Sequence, residues 1–216
     1  MFAREGVPFI TGALALALAA LAGALRLRVW PLWVLAVVLL VVALWVAWFF
    51  RDPVRTGERG PGVVVAPADG RVVLITPIHE DTFVHGPTVR VSIFMNVFDV
   101  HVNRYPVDGL VAFVERRPGK FLNAVTEASS VENEQNAVGI VSGAHRILMR
   151  QIAGLVARRI ITDSVPGAVA RQGERFGLIR FGSRVDLFLP PDARLRVRVG
   201  DRTQAGATVV ADLPAA

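Results

Sequence analysis

Hydrophobic and polar positions along this chain follow two regimes that meet near residue 55. Residues 7–25 carry no charged side chain, and neither do residues 29–50. Each run, coiled as a helix at about 1.5 Å per residue, is long enough to cross a hydrocarbon core of about 30 Å. All four tryptophans lie in the second run, Trp30 and Trp33 at one end and Trp45 and Trp48 at the other. That placement is expected of aromatic belts at two membrane interfaces. From Val63 onward the pattern changes to short β-rich runs, among them RVVLITPI, VRVSIFM, GLVAFV, RILMRQIAG, RVDLFLP and RLRVRV. Gly or Pro punctuates nearly every gap between them.

These patterns predict a mostly β domain, sandwich-like or barrel-like with little helix, preceded by an N-terminal two-helix membrane hairpin. The boundaries expected are 1–55 for the hairpin and linker, with helices about 7–25 and 29–50, and 56–216 for the β domain. Residues 51–61 (RDPVRTGERGP) are a polar Pro/Gly connection. The first run alone also fits a secretory signal, being Ala-rich and ending in small residues; the second run, following at once, favours the hairpin. Arg4 before the first run and Arg51, Arg55 and Arg59 after the second favour a cytoplasmic face for both ends. Arg26 and Arg28 in the connection oppose this, unless the hairpin dips in and they snorkel to the headgroups.

Composition narrows the chemistry. The chain has 216 residues, no cysteine, a formal net charge of +6 and a single lysine, Lys120. Disulfides, thiolate catalysis and Cys-based metal sites are excluded. Few aromatic residues are interleaved with the basic ones, which argues against a nucleic-acid surface. His79 and His85, in a polar stretch with Glu80 and Asp81, do not make a metal cluster at ligand spacing, so no metal is expected.

Four stretches stand out as candidates for chemistry. Gly182-Ser183 interrupts two β-rich runs: glycine lets a group approach its carbonyl closely, and serine supplies a hydroxyl beside it. The segment FMNVFDVHVNRYPVDG would, if extended, project Asp99, His101 and Asn103 from one face. APADG, residues 66–70, reads as strand, tight turn, strand, with Asp69-Gly70 as the turn. GKFLNA and VENEQNA read as a long loop of the kind that covers a site.

Taken together, APADGRVV, FMNVFDVHVNRYPVDG, GKFLNA, ENEQNA, QIAGLVARRI and RFGSRVD resemble, in order, the motifs of the phosphatidylserine decarboxylases in their short, membrane-attached form. The resemblance covers residues 62–190. It implies that the Ser183 hydroxyl attacks the Gly182 carbonyl and that the chain breaks into 1–182 and 183–216, which stay associated. It further implies that Ser183 becomes a pyruvoyl group, with no metal and no pyridoxal phosphate. The ketone would form a Schiff base with the amine of a serine headgroup and take up the electrons released with carbon dioxide. Independently, Lys120 is the only residue that could hold pyridoxal phosphate, and no phosphate cradle accompanies it.

By the same resemblance, Asp69 and His101 assist self-cleavage and His101 protonates the carbanion. Longer members carry a second histidine three residues after the first; Arg104 stands there in this chain, so a division of labour between two histidines does not transfer. Arg104, Lys120, Asn123, Arg158 and Arg159 are the candidate substrate contacts. The expected activity is decarboxylation of phosphatidylserine to phosphatidylethanolamine at the cell membrane, with the catalytic domain on the cytoplasmic face. Association into a homo-oligomer is left open. The alternatives are the same reaction on archaetidylserine and, in a different class, a membrane-anchored lipoyl-like adaptor module.

Overall fold

The computed structural model describes residues 1–122, 129–154, 159–180 and 183–214. The chain divides into two units, Met1–Val54 and Arg55–Ala216.

In the first unit, helix α1 (Val7–Leu27) and helix α2 (Trp30–Phe49) form an antiparallel hairpin, each begun by a proline in its first turn. Arg28, at φ 54°, makes the left-handed turn between them and closes α1 through its N–H to the Ala24 carbonyl. At the open end, the Ala3 N–H bonds the Phe50 carbonyl and the Asp52 N–H bonds the Met1 carbonyl. Both ends of the hairpin therefore lie together. Ala17 and Ala24 on α1, and Ala36, Ala43 and the end residue Phe49 on α2, are the buried residues within the helical pair, while Leu16, Leu18, Val37, Val41 and Leu44 point outward. Small residues at sevenfold spacing let the backbones approach, as in membrane helix pairs. Both helices are long and apolar enough to cross a membrane.

The second unit is built from strands. In order they are β1 (Val63–Val65), β2 (Gly70–Glu80), β3 (Gly86–Met95), β4 (Val102–Arg104) and β5 (Gly109–Arg117). The short helix α3 (Ser129–Glu132) precedes β6 (Gln135–Ser142), β7 (His145–Ala153), β8 (Arg159–Thr162), β9 (Val169–Ala170) and β10 (Arg175–Arg180). Then come β11 (Ser183–Leu189), β12 (Arg194–Leu195), β13 (Arg202–Thr203) and β14 (Val209–Asp212). Antiparallel pairing gives a curled sheet in the order β13-β2-β3-β11-β7-β6-β5-β9 and two smaller sheets, β1-β14-β12 and β4-β10-β8. The mostly β fold with its apolar helical hairpin is the one the hydrophobic pattern predicts.

Strand β11 is central to the large sheet and buried along its whole length. Val185, Leu187 and Leu189 face the main core with Ile93 and Val91 of β3 and Met149 of β7. Phe188 faces the other way, into a second cluster with Phe83, Ala137 and Leu148. β11 is buried on both faces although its sequence, SRVDLFL, alternates polar and apolar residues from Arg184 as far as Leu187.

Three local expectations change. APADG is not a hairpin turn, because β1 pairs with β14 while β2 pairs with β3 and β13. The run before His101 is not extended, because residues 96–99 form a turn held by the Asp99 carboxylate on the Asn96 N–H at 2.9 Å. RLRVRV is strand only over Arg194–Leu195; the Arg198 N–H then bonds the Asp201 carboxylate at 2.8 Å and starts a turn.

Candidate functional site

Ser183 is the first residue of β11, and the preceding strand β10 belongs to a different sheet. The chain changes sheets between Arg180 and Ser183, across residues 181–182, which lie outside the described residues. Gly182, the other half of the expected cleavage pair, is among them. Ser183 stands opposite Met95 of β3 on one side and Ala153 of β7 on the other. Its side chain is fully buried, and its Oγ finds no hydrogen-bond partner among the described residues. An unmet hydroxyl in a protein interior costs about 1–3 kcal/mol, which calls for an explanation other than stability.

The end of β3 gathers the remaining candidates. Met95 leads into the 96–99 turn, tightened by the Phe98 N–H on the Asn96 side-chain oxygen at 2.8 Å. His101 follows, fully buried, with Nδ1 3.0 Å from the Asp99 carbonyl. A carbonyl only accepts, so Nδ1 is the donor in this contact, which leaves Nε2 as the nitrogen turned to other partners. The His101 carbonyl in turn accepts the Ile179 N–H of β10 at 3.3 Å, which sets His101 beside the strand leading to the Gly-Ser pair.

Asp69 lies in the link between β1 and β2. Its Oδ2 is 2.6 Å from Arg55 Nη2, and its Oδ1 accepts the Ala205 N–H at 2.8 Å. Burial pushes the Asp69 carboxyl above its ordinary range, against the lowering effect of the Ala205 N–H and the Arg55 guanidinium; the charge of Asp99 adds to the rise. Gly70 follows at φ 153°, and a side chain there would run into the Phe94 carbonyl. Asp69 thus interacts with Asp99, whose carbonyl holds His101, while Ser183 pairs with Met95 at the start of the same turn. Ser183, His101 and Asp69 all converge on the end of β3.

Buried amides support this arrangement, and as a set they carry no motif in the sequence. Asn136 Nδ2 donates to Gln151 Oε1 at 3.0 Å, and Gln151 Nε2 donates to Asn103 Oδ1 at 2.8 Å. Asn133 Nδ2 donates to the carbonyls of Leu122 and Ala153, at 2.8 and 2.7 Å, tying the segment before β6 to the strand partner of Ser183. The polar run ENEQNA, expected as loop, therefore leaves α3 and enters β6 at Gln135. The only visible signal was the density of Asn and Gln; polar runs are usually solvated, and pairing partners so far apart in sequence leave no local trace.

The candidate substrate contacts are dispersed. Arg104 Nη1 bonds the Gly173 carbonyl at 3.1 Å. Lys120 is exposed, its ammonium 2.7 Å from Glu132, whose hydrogen bond and then charge raise its pKa. Arg159 is exposed and stands directly across from Arg180 in the β8–β10 pair. Asn123 and Arg158 lie outside the described residues.

Comparison with known proteins places these observations in a wider group. The sequence profile described as phosphatidylserine decarboxylase matches residues 42–211. A protein of Symbiobacterium thermophilum named phosphatidylserine decarboxylase proenzyme is 48% identical over 215 residues, covering 99% of this chain and 96% of its own. Proteins with the same name from Magnetococcus marinus and Burkholderia mallei are each 46% identical; they cover 96% and 99% of this chain and 93% and 96% of their own.

Proposed function

The chain belongs to the phosphatidylserine decarboxylase family, a family of carboxy-lyases made as proenzymes, and from that premise we propose that it cleaves itself at Gly182-Ser183 and then decarboxylates phosphatidylserine to phosphatidylethanolamine. The observation that carries the proposal is the Ser183 hydroxyl, buried and without a hydrogen-bond partner beside the expected scissile peptide. A nucleophile held out of water, with no hydrogen-bond partner among the described residues, is poised to attack the neighbouring carbonyl.

In the self-cleavage, Ser183 Oγ attacks the Gly182 carbonyl carbon, the peptide C–N bond breaks, and the freed nitrogen takes up the hydroxyl proton. Removal of the Ser183 α-proton then expels the Gly182 carboxylate and leaves a dehydroalanine end. Water replaces its nitrogen, ammonia departs, and residue 183 is left as pyruvoyl. Asp69 suits the role of base: burial raises its pKa towards the working pH, where a carboxylate exchanges protons more effectively. The buried, unpartnered position of Ser183 fits a group made from that side chain.

The pyruvoyl carbonyl supplies the electron sink for loss of carbon dioxide. His101, held through Nδ1 by the Asp99 carbonyl, is oriented to hand a proton to the substrate carbon from Nε2 when its ring is charged. Arg104, Lys120, Asn123, Arg158 and Arg159 remain the candidates for the headgroup. Arg159 is the best suited of those described, being exposed and opposite a second arginine, a pairing that favours a phosphate between them. The two cleaved chains are proposed to stay together, because β11, β13 and β14 are each laddered to strands of the large chain. The hairpin would hold the enzyme in the cell membrane, its joined ends and Arg51, Arg55 and Arg59 on the cytoplasmic side.

The test is release of labelled carbon dioxide from carboxyl-labelled phosphatidylserine in detergent micelles by the full-length protein. Wild type should release it and Ser183→Ala should not. Equal release from both would remove Ser183 from the chemistry.

A further inference from the structure

Arg184, beside Ser183, ranks among the largest side chains buried almost completely. Its Nε lies 2.8 Å from Asp186 Oδ1 and its Nη2 3.1 Å from Asp186 Oδ2. The same Nη2 donates to Ser130 Oγ on α3. Asp186 stands opposite Arg150 of β7, whose guanidinium is 3.1 Å from Glu80. A line of buried charge therefore crosses the large sheet on the face opposite Val185 and Leu187.

Buried ion pairs contribute little net stability compared with well-packed apolar residues, and their best-attested use is to fix register. The alternation along β11 makes that use concrete. Ser183, Val185 and Leu187 share one face, and Arg184 and Asp186 the other. A slip of one residue would exchange the two sets. It would bring Arg184 and Asp186 into the apolar cluster of Ile93 and Met149 and turn Ser183 away from it. Such protection matters most at Ser183, because the first residue of a strand is the one most prone to fray.

We propose that the Arg184–Asp186 pair, clamped by Ser130, is a positioning device that locks the register of β11 so that the Ser183 hydroxyl stays on the inner face for self-cleavage. The proposal rests on the reading of Gly182-Ser183 as the cleavage point. It also assigns α3 a role: Ser130 grips Arg184 while Asn133, just beyond the helix, grips the carbonyl of Ala153, the strand partner of Ser183. One short segment thus holds both a β11 side chain and the backbone of the neighbouring strand at the start of β11.

The test is a cell-free translation time course of the full-length chain in nanodiscs, following the fraction cleaved and the mass of the small chain. The double variant Arg184→Met/Asp186→Leu removes both charges together, so it leaves no buried charge unpaired and should keep its thermal midpoint. Its cleavage should slow about a hundredfold, the usual consequence of misplacing a reacting group by an ångström. Part of its small chain should begin with serine, from an ester hydrolysed before elimination, where wild type yields pyruvoyl. Ser130→Ala, which leaves the ion pair in place, should cleave more slowly than wild type and remain folded. Wild-type cleavage and products in the folded double variant, or in Ser130→Ala should the double variant not fold, would overturn the proposal. An uncleaved wild type would sink the underlying reading and this inference with it, whereas equal cleavage of wild type and variant would sink this inference alone.

Discussion

The helical hairpin and the β unit solve opposite packing problems. Along the middle of the hairpin the small residues are inside and the large apolar ones outside, Phe49 and Phe50 at its open end being the buried exceptions: Ala24 is fully buried, while Trp30 is 75% exposed. In the β unit the order reverses, with Phe176, Ile93 and Met149 fully buried and arginines such as Arg194 and Arg198 exposed. The contrast is the one that two different solvents, lipid for the hairpin and water for the β unit, would produce. The hairpin packs by close backbone approach, as helices do in lipid, where burying leucine gains nothing over exposing it. The β unit packs by the hydrophobic effect, and it carries buried polar groups such as Ser183 and Arg184 that stability does not require.

If that division is right, substitutions in the β unit strike chemistry and substitutions in the hairpin strike association with the bilayer. His101→Ala should give the largest effect, lowering kcat/KM on micellar phosphatidylserine by about a hundredfold or more. A loss below tenfold would remove it as the proton donor. Asp69→Asn should slow self-cleavage, followed as the ratio of whole to split chain, and should also reveal a pH signature. Burial raises the Asp69 carboxyl above its ordinary value of 3.8, so the folded state holds that proton more tightly than the unfolded chain. The wild type's stability therefore falls as pH rises from about 4 through the raised value and levels off above it. Urea midpoints should show Asp69→Asn gaining on wild type across that window, by at most about 1.4 kcal/mol per pH unit.

Ala24→Leu should push the two helices apart, at about 1–3 kcal/mol, the usual cost of overpacking. Cross-linking of the hairpin's two ends should drop, while cleavage at residue 183 proceeds at the wild-type rate. Slowed cleavage in this variant would break the division between the two units. Lys120→Ala marks the small end. Its ammonium pairs with Glu132 on the surface, so neither the thermal midpoint nor the cleavage rate should change measurably.

The hairpin was legible because two uncharged runs with tryptophans at their ends have few other readings. The strands were legible because their apolar runs are short and bounded by glycine and proline. Pairing was not. APADG has the local look of a hairpin turn, but β1 finds its partner at β14, nearly 150 residues on, and nothing near Asp69 announces it. RLRVRV alternates well enough to predict a strand, yet the Asp201 carboxylate captures the Arg198 N–H and a turn wins.

At the candidate site, Ser183, His101 and Asp69 were nameable from their motifs, and the structure brings them to one end of β3. Arg55, which neutralises Asp69, read only as one of several arginines after the second span. Arg184 read as an ordinary polar residue between apolar ones; only the course of α3 over the outer face of β11 makes it a buried group. Charges that a fold buries from a distance look, in sequence, like charges on a surface.

The most direct test of the central claim is an intact mass spectrum of the full-length protein beside Ser183→Ala. Wild type should give two pieces divided between residues 182 and 183, the smaller one starting in pyruvoyl, and the variant should stay whole. A single uncleaved chain in both samples, from folded protein, would contradict the account.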